Sequence, residues 1–596
     1  MSPSEVMDAT HVRAWARDGV RALDRARGAL DRVNVFPVAD ADTGTNLYLT
    51  FLEAARSIAA VPAGAGAGDV LVRLARGALV GARGNSGVIL SEYLRGLAVE
   101  LAGRAEVDGA GLARALGAAA ETARRAVAHP AGGTILTAAD AAADAARAAA
   151  GDAAEGPARA VDRPADVCAA ARTAARASAL RSRDELDVLA RADVLDAGAL
   201  GLTLLLGVLH AVLDPDAAVA DTVPDADPDA VTSAVSDVVS DVLGMMAGMV
   251  PVAPDGEDAV SAGPADRRGG EFEVMYVVDA TSTPTHALPR DDSALAGLAA
   301  RLRDGLARVG DSVVVVGGES APGTSPGSDG LWQAHVHTDH PASALAVGHE
   351  TLAALPGVPA ALRQVRVRHL PGGVDPEPVH RPSLGVVAAT TSPGVVADLA
   401  RAGAVVIQRE PGAAPDPLAL HRAVVDTGAH HVVLLPAAVL DDGLLDDLRA
   451  AVLGDGVERL DVLDAPTDLH VVVALAAGLQ ADPDDDEARV LAARAALAGV
   501  RVAEAAGTGP DPARVGRPAL PDGLGRALDA VLDVPAEILT VLVDDDVPHD
   551  ALDALADRAA ARGAETVVLR SGRPGTRVTL GAEPPAGVGR TEEGAG

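Results

Sequence analysis

The chain has 596 residues, 49% hydrophobic but only 1% aromatic, so it is too long for one core and must fill about three or four with alanine, valine and leucine. It contains no lysine and carries a formal charge of −34, with no concentrated basic patch, which argues against nucleic-acid or anionic-membrane surfaces as partners. An anionic nucleotide would have to bind through a metal and backbone amides. The lone cysteine, Cys168, sits in an Ala-rich stretch and reads as a small core residue. No run of about 18 apolar residues suggests a membrane span, and no apolar leader is visible. The expectation is a soluble, cytoplasmic protein.

Residues 1–213 read as helical almost throughout, with helices expected at 11–30, 46–60, 69–80, 87–103, 109–128, 134–150, 164–181 and 197–213. Pro62, the segment 81–87, Pro130 with Gly132 and Gly133, and the stretch 151–164 supply the breaks. Such a count implies a bundle or helical barrel, expected here as an eight-helix antiparallel barrel once the resemblance below is added. Residues 214–229 read as a linker, followed by a helix at 230–247 and a flexible stretch at 251–270. Strands at 271–278, 311–316 and 331–338 with a helix at 292–309 suggest a small α+β domain over 230–372, with a further helix after them. From 383 to 582, apolar runs at 384–389, 404–407, 431–435 and 471–474 alternate with helical stretches at 395–402, 417–425 and 441–453. Helices near 485–498, 523–533 and 549–562 and strands at 538–543 and 566–569 extend this α/β domain, and 583–596 reads as a disordered tail.

Two segments carry the chemistry. In Asn34-Val-Phe-Pro-Val-Ala-Asp-Ala-Asp-Thr-Gly-Thr-Asn46, Asp40 and Asp42 precede a helix. One carboxylate suffices to cap a helix; a second adds repulsion unless a cation lies between them, and Mg²⁺ binds through one or two carboxylates while leaving positions open for phosphate. In Gly81-Ala-Arg-Gly-Asn-Ser-Gly87, glycines let backbone N–H groups approach an anion at the start of the next helix. An ordinary interhelical turn is the alternative. Gly133 with Thr134, and Asp196 with Gly198, open two further helices, and each pair can be read as nucleotide contact or as capping.

These four motifs, the last two read as Gly133-Thr-Ile-Leu-Thr137 and Asp196-Ala-Gly-Ala-Leu-Gly201, resemble in that order the nucleotide-binding (DhaL-like) domain shared by dihydroxyacetone kinases and bacterial fatty acid kinases. The resemblance implies an ATP site with Mg²⁺ held by Asp40 and Asp42, Asn34 standing where a third aspartate occurs in dihydroxyacetone kinases, and Asn46 beside them. It further implies Gly84, Asn85, Ser86 and Gly87 at the phosphates, with Gly133, Thr134, Asp196 and Gly198 as the outer contacts.

The strand His335-Val-His-Thr338 resembles that of the fatty acid kinase catalytic subunit, in which histidines and an upstream cysteine can hold zinc; the alignment places Glu273 at the cysteine position. His335 and His337 share a strand face and are candidates either for Zn²⁺ ligation with Glu273 or for orienting the acceptor in catalysis. The region after 383 is similar in arrangement to a DegV-like, fatty-acid-binding fold. Thr391-Ser-Pro-Gly394 matches its first strand and loop, but Gln408-Arg-Glu-Pro-Gly-Ala-Ala-Pro-Asp-Pro417 replaces the expected polar segment, so this domain is not expected to bind lipid itself.

The implied activity is ATP- and Mg²⁺-dependent phosphorylation of a fatty acid carboxylate presented by a separate fatty-acid-binding carrier. A homodimer is expected if the C-terminal sheet has a face to cover. Phosphorylation of a small ketose such as dihydroxyacetone, and a non-enzymatic ATP-responsive scaffold, are the alternatives.

Overall fold

The computed structural model describes residues 5–36, 41–127, 130–151, 163–215, 230–249, 270–280, 297–317, 330–355, 360–370, 383–506 and 520–585. The expected linker at 216–229, the flexible stretch at 251–269, the start of the helix at 292–296 and the tail from 586 lie outside these residues.

The N-terminal part is helical: α1 (Ala9–Arg32), α2 (Thr43–Ser57), α3 (Ala67–Gly81), α4 (Gly84–Leu101), α5 (Gly109–Ala126), α6 (Ile135–Ala149), α7 (Pro164–Glu185), the short α8 (Asp187–Ala192), α9 (Ala197–Leu213) and α10 (Ala230–Met245). Short connections make chain neighbours antiparallel. Each helix from α1 to α7 packs on the next, and α9 packs on both α7 and α1. The amino ends of α2, α4, α6 and α9 consequently lie toward one end of the domain, and these are the ends that carry the four motifs.

Few aromatic rings are available for this core, and those present are placed at its centre. Trp15 meets Phe51 edge-to-face at 5.5 Å, and its indole N–H donates to the Leu205 carbonyl at 2.9 Å. Elsewhere alanine and glycine let helices approach closely. At Gly96 of α4 an added Cβ would lie 2.5 Å from Ala119 Cα and 2.6 Å from the Ala118 carbonyl oxygen. The helix at 230–247 is expected in the middle domain, but α10 packs on α9 and α1, and Val235, Val238, Val239, Val242 and Met246 complete the helical core. Arg172 and Arg176 fasten it through Asp241 at 3.3 and 3.0 Å.

The remainder is α/β: β1 (Phe272–Asp279), α11 (Leu298–Leu306), β2 (Asp311–Gly317), β3 (Leu331–Thr338), α12 (Pro341–Ala353), β4 (Ala361–His369), β5 (Leu384–Thr390), α13 (Val396–Arg401), β6 (Ala404–Gln408), α14 (Pro417–Asp426), β7 (His431–Leu435), α15 (Asp442–Leu453), β8 (Arg459–Val462), α16 (Asp468–Gln480), α17 (Asp486–Gly499), β9 (Arg501–Ala506), α18 (Asp522–Val531), β10 (Ile538–Val543), α19 (His549–Ala560), β11 (Glu565–Arg570) and β12 (Arg577–Glu583). Eight strands form one sheet in the order β2-β3-β1-β4-β6-β5-β7-β8. Its first four strands are antiparallel and its last four parallel, and the halves meet where β4 pairs antiparallel with β6, Arg366 opposite Ile407. The expected units 230–372 and 383–582 are therefore joined by a continuous sheet and a shared core that runs from Phe272 to Leu542. A second sheet, β11-β10-β12-β9, has its own small core.

Two expectations need correction. Val471–Ala474, expected as a strand, lies inside α16. The four apolar residues belong to a 13-residue helix, and a short apolar run cannot by itself distinguish a buried strand from a buried helix. The strand β4 is not expected from the sequence, because Gln364, at φ +52°, interrupts the alternation where the β1 pairing shifts register.

At Gly96 two opposing terms can be weighed. Alanine gains roughly 1 kcal/mol of helix propensity over glycine, yet its Cβ would press on the α5 backbone, and overpacking of this kind costs about 1–3 kcal/mol. Gly96→Ala should therefore lower the melting temperature of the full chain by calorimetry; an unchanged or raised value would show that α4 and α5 can separate freely.

Candidate functional site in the cleft between helices and sheet

Asp42 occupies the N-cap position of α2, but its side chain makes no capping bond. That task falls to Asp31, near the end of α1, which accepts from Thr45 N at 2.9 Å and Thr45 Oγ1 at 2.7 Å. Burial, opposed by the Thr45 bonds and reinforced by Asp42, pushes the Asp31 carboxyl up to about 7. Asp42 instead accepts from Asn46 Nδ2 at 2.7 Å and faces a cleft. Ala41 beside it holds a left-handed φ of +51°, a strained conformation for a residue with a Cβ and one that recurs at functional loops. Asn34 is buried next to this turn, with its backbone N–H on the Asp31 carbonyl at 3.2 Å. Asp40 lies outside the described residues.

The second loop is built onto the first. Arg83 caps α4 from an extended conformation and its N–H donates to Thr50 Oγ1 at 3.1 Å. Gly84 has φ +55°, and a Cβ there would lie 2.2 Å from Asn46 Nδ2; a Cβ on Gly87 would lie 2.3 Å from Thr50 Oγ1. Ser86 Oγ is 3.2 Å from Thr43 Oγ1. Asn85 Oδ1 is buried without a hydrogen-bond partner. Two helix amino ends, α2 and α4, thus converge with glycine-lined backbone between them, an arrangement that favours an anion.

The outer motifs meet each other rather than this cleft. Thr134 caps α6 and Asp196 caps α9, accepting from Leu136 N at 3.3 Å and Ala199 N at 2.7 Å respectively. Gly133, at φ +71°, donates its N–H to Thr137 Oγ1 at 3.0 Å. A Cβ on Gly133 would be 3.0 Å from the Ser182 carbonyl, while Ser182 Oγ accepts from Asp196 N at 2.9 Å. Gly198 lies against Ile135. None of Gly133, Thr134, Asp196 and Gly198 is among the residues lining the cleft.

The cleft is lined by Asp42, Thr45, Asn46, Arg83 and Gly84 of the helical part, by Glu273, Met275, Arg366 and Arg368 of the sheet, and by Asp426 of α14. Cross-strand register explains the sheet wall: Glu273 stands opposite His337 on one side and Arg368 on the other, and Met275 stands between His335 and Arg366. Arg368 pairs with both Asp42 and Glu273, and Arg83 and Arg366 both pair with Asp426. Burial and the neighbouring Arg83 and Arg422 push the Arg366 guanidinium well below its usual range. Further contacts close the seam: Gln333 Nε2 donates to the Ala82 carbonyl at 2.9 Å, and Arg422 donates to the Val80 carbonyl at 2.7 Å and Glu53 at 3.0 Å.

One ligand atom from each of Glu273, His335 and His337 lies within 4.8 Å of the others. Both ring nitrogens of His335 and Nδ1 of His337 are buried without a hydrogen-bond partner. Burial pushes His335 down to about 3 and lowers His337. Burial alone would raise Glu273, but the Arg368 guanidinium beside it holds it well below the usual carboxylate range. Such neutral imidazoles beside an ionised carboxylate suit a divalent cation. They do not suit contact with an acceptor, since neither ring lines the cleft.

Reading the chain alone misses Asp31, Arg83, Arg366, Arg368 and Asp426. The one visible signal is the spacing of Arg366 and Arg368, which puts both on one face if 361–369 is a strand.

Asp196 yields a pH test. Burial, opposed by the N–H groups of Ala199 and Ile135, raises its carboxyl from 3.8 to about 7. The folded state then keeps a proton that the unfolded chain has released, so this group's contribution to stability is lost as pH rises from 3.8 to about 7. Asp196→Asn retains the cap and removes that titration. Its melting temperature relative to the unaltered protein should climb as pH rises from 3.8 to about 7 and level off above that; a difference independent of pH would show that Asp196 is ionised in its pocket.

A model of the DAK2 domain matches residues 37–211, and a model of the FakA-like middle domain, from fatty acid kinases, matches residues 271–352. Protein YloV of Bacillus subtilis (strain 168) is 37% identical over 188 residues, which cover 31% of this chain and 32% of that protein. An uncharacterized protein of Staphylococcus aureus (strain USA300) is 40% identical over 121 residues, covering 20% of this chain and 22% of that protein. The chain thus spans about a third of the first relative's length and about a fifth of the second's. The DAK2 match thus includes Asp42 and the Gly81–Gly87 loop on the helical side of the cleft, and the FakA-like match includes Glu273, His335 and His337 of the sheet.

Proposed function

We propose that this protein transfers the γ-phosphoryl group of ATP, with Mg²⁺, to the carboxylate of a fatty acid presented by a separate fatty-acid-binding carrier of the DegV-like type, giving an acyl phosphate. The observation that carries this reading is the convergence of the Asp42–Asn46 turn and the Gly84 amino end of α4 on one cleft. In this reading residues 1–213 are the nucleotide-binding unit and form the eight-helix barrel that the resemblance implies.

The residues present fit the metal and the nucleotide. Asp42 offers a carboxylate that caps nothing, and Gly84 and Gly87 let the amino end of α4 close onto Asn46 and Thr50 of α2, so that the two helix amino ends converge where phosphate would bind. Asp42 would hold Mg²⁺, whose charge would offset the negative charge that develops on transfer. The chain's own work is to hold the nucleotide at two helix amino ends, to keep Asp42 oriented through Asn46, and to exclude water between helices and sheet. A carboxylate acceptor arrives already ionised, so no general base is required. His335 and His337, buried and uncharged, are then freed from acceptor chemistry, and we propose that with Glu273 they hold a Zn²⁺ ion that ties β1 to β3.

The measurement is transfer of labelled phosphate from Mg-ATP to oleate, with and without a fatty-acid-binding carrier. Transfer should depend on the carrier, vanish in excess chelator, and fall at least about 10²-fold in Asp42→Asn, the usual loss when one group stabilising developing charge is removed. Label appearing on free dihydroxyacetone instead would reassign the acceptor, and tight Mg-ATP binding without transfer to any acceptor would leave an ATP-responsive scaffold. For the second metal, elemental analysis should find zinc in the purified protein and lose it in His337→Ala; equal content in both would dismiss the Glu273–His335–His337 site.

A further inference from the structure

Arg368 differs from the other arginines of the cleft. Arg83 and Arg366 are spent on Asp426, and Arg422 on Glu53 and a backbone carbonyl. Their side chains are 12% exposed or less, whereas that of Arg368 is 28% exposed. Two of its bonds divide by atom: Nε donates to Glu273 Oε2, on the neighbouring strand of its own sheet, and Nη2 donates to Asp42 Oδ2, on the turn opposite. Glu273 therefore holds the stem of the guanidinium while the outer edge reaches across the cleft. That edge occupies the side of Asp42 that a divalent cation would contest.

We propose that Arg368 is the phosphate-facing catalytic arginine of this kinase, anchored by Glu273 and passing from Asp42 to the transferring phosphoryl group when a divalent cation takes Asp42. The proposal rests on the kinase reading above. In that reaction a lone pair of the acceptor carboxylate forms the new P–O bond as the bond from the γ-phosphorus to the β-γ bridging oxygen breaks, its electron pair leaving with ADP; no proton moves. Two anions must meet, in a chain with no lysine and a net charge of −34. A metal bound at Asp42 serves the nucleotide side. A planar guanidinium arriving from the sheet can bridge phosphoryl and carboxylate oxygens with two parallel N–H bonds, which a point charge cannot do. Delivery from the opposite wall also makes the charge arrive only when helices and sheet are closed on each other.

The test uses the full chain with Mg-ATP, oleate and carrier. Arg368→Gln should leave KM for ATP nearly unchanged and lower kcat by about 10³-fold or more, the scale of an arginine acting on a transferring phosphoryl group. Arg368→Lys, which keeps a charge between Asp42 and Glu273, should recover little of that loss. A readout independent of turnover is Mn²⁺ binding without nucleotide, followed by electron paramagnetic resonance: it should tighten in Arg368→Gln, because the guanidinium no longer competes for Asp42. Tighter Mn²⁺ with unchanged or raised kcat would overturn the proposal, leaving Arg368 as a plug of the empty site. A raised KM with kcat intact would overturn it too. If Arg368→Gln does not fold, Arg368→Lys decides: lost kcat with retained KM supports the proposal, and retained kcat sinks it. An inactive unaltered protein would remove the kinase reading itself, whereas an active one matched by both variants removes the arginine proposal alone.

Discussion

Charge buried between the helices and the sheet is the constraint on which the remaining geometry depends. Asp426 accepts Arg83 from the Gly81–Gly87 loop and Arg366 from β4, and Arg422 ties α14 to Glu53 and the Val80 carbonyl. Breaking a buried pair by removing one partner costs about 3–5 kcal/mol, because the other charge is stranded. Replacing whole pairs with apolar residues can be neutral, so these contacts are better understood as setting position than as adding stability. Helices and sheet can meet in few other registers without leaving an arginine unmatched. An apolar patch beneath the charges, Ala82, Val88 and Ala126 against Met275, Val314 and Val316, supplies the water exclusion that gives those pairs their weight.

The sheet face used for this purpose follows from strand periodicity. On β3, Trp332, Ala334 and Val336 point into the core with α11 and α12, and Gln333, His335 and His337 necessarily point the other way, toward the helical part. The same alternation puts Glu273 and Met275 of β1 beside Arg368 and Arg366 of β4. A row of polar and ionisable groups on a buried face would be costly on an isolated sheet. It is tolerated because the opposing helical part supplies partners, and what it leaves unpartnered, three imidazole nitrogens next to a carboxylate, is the set a metal would complete.

A protein with a net charge of −34 has to concentrate its positive potential locally. Here the concentration comes from two helix amino ends brought together by glycines, and from arginines held by carboxylates around the cleft. Alanine-rich packing serves the same end. With side chains this small, backbones approach within contact distance, as at Gly96, and the helix ends are held rigidly enough for their N–H groups to be aimed.

The chain by itself determined the helical part, the α/β part and the two loops that meet at the cleft, because period 3.6, period 2 and glycine punctuation are local properties. It also named His335 and His337, since strand spacing places the two histidines on one face, while Glu273 came only from the family resemblance. What it could not determine was which groups those residues would meet. That Asp31 relieves Asp42 of capping, that α10 covers the helical core rather than the sheet, that β4 joins two expected units into one sheet, and that Arg368 crosses to Asp42 were all decided by tertiary structure. Each depends on contacts between residues up to 326 positions apart, a separation over which periodicity carries no information and packing and charge balance carry all of it.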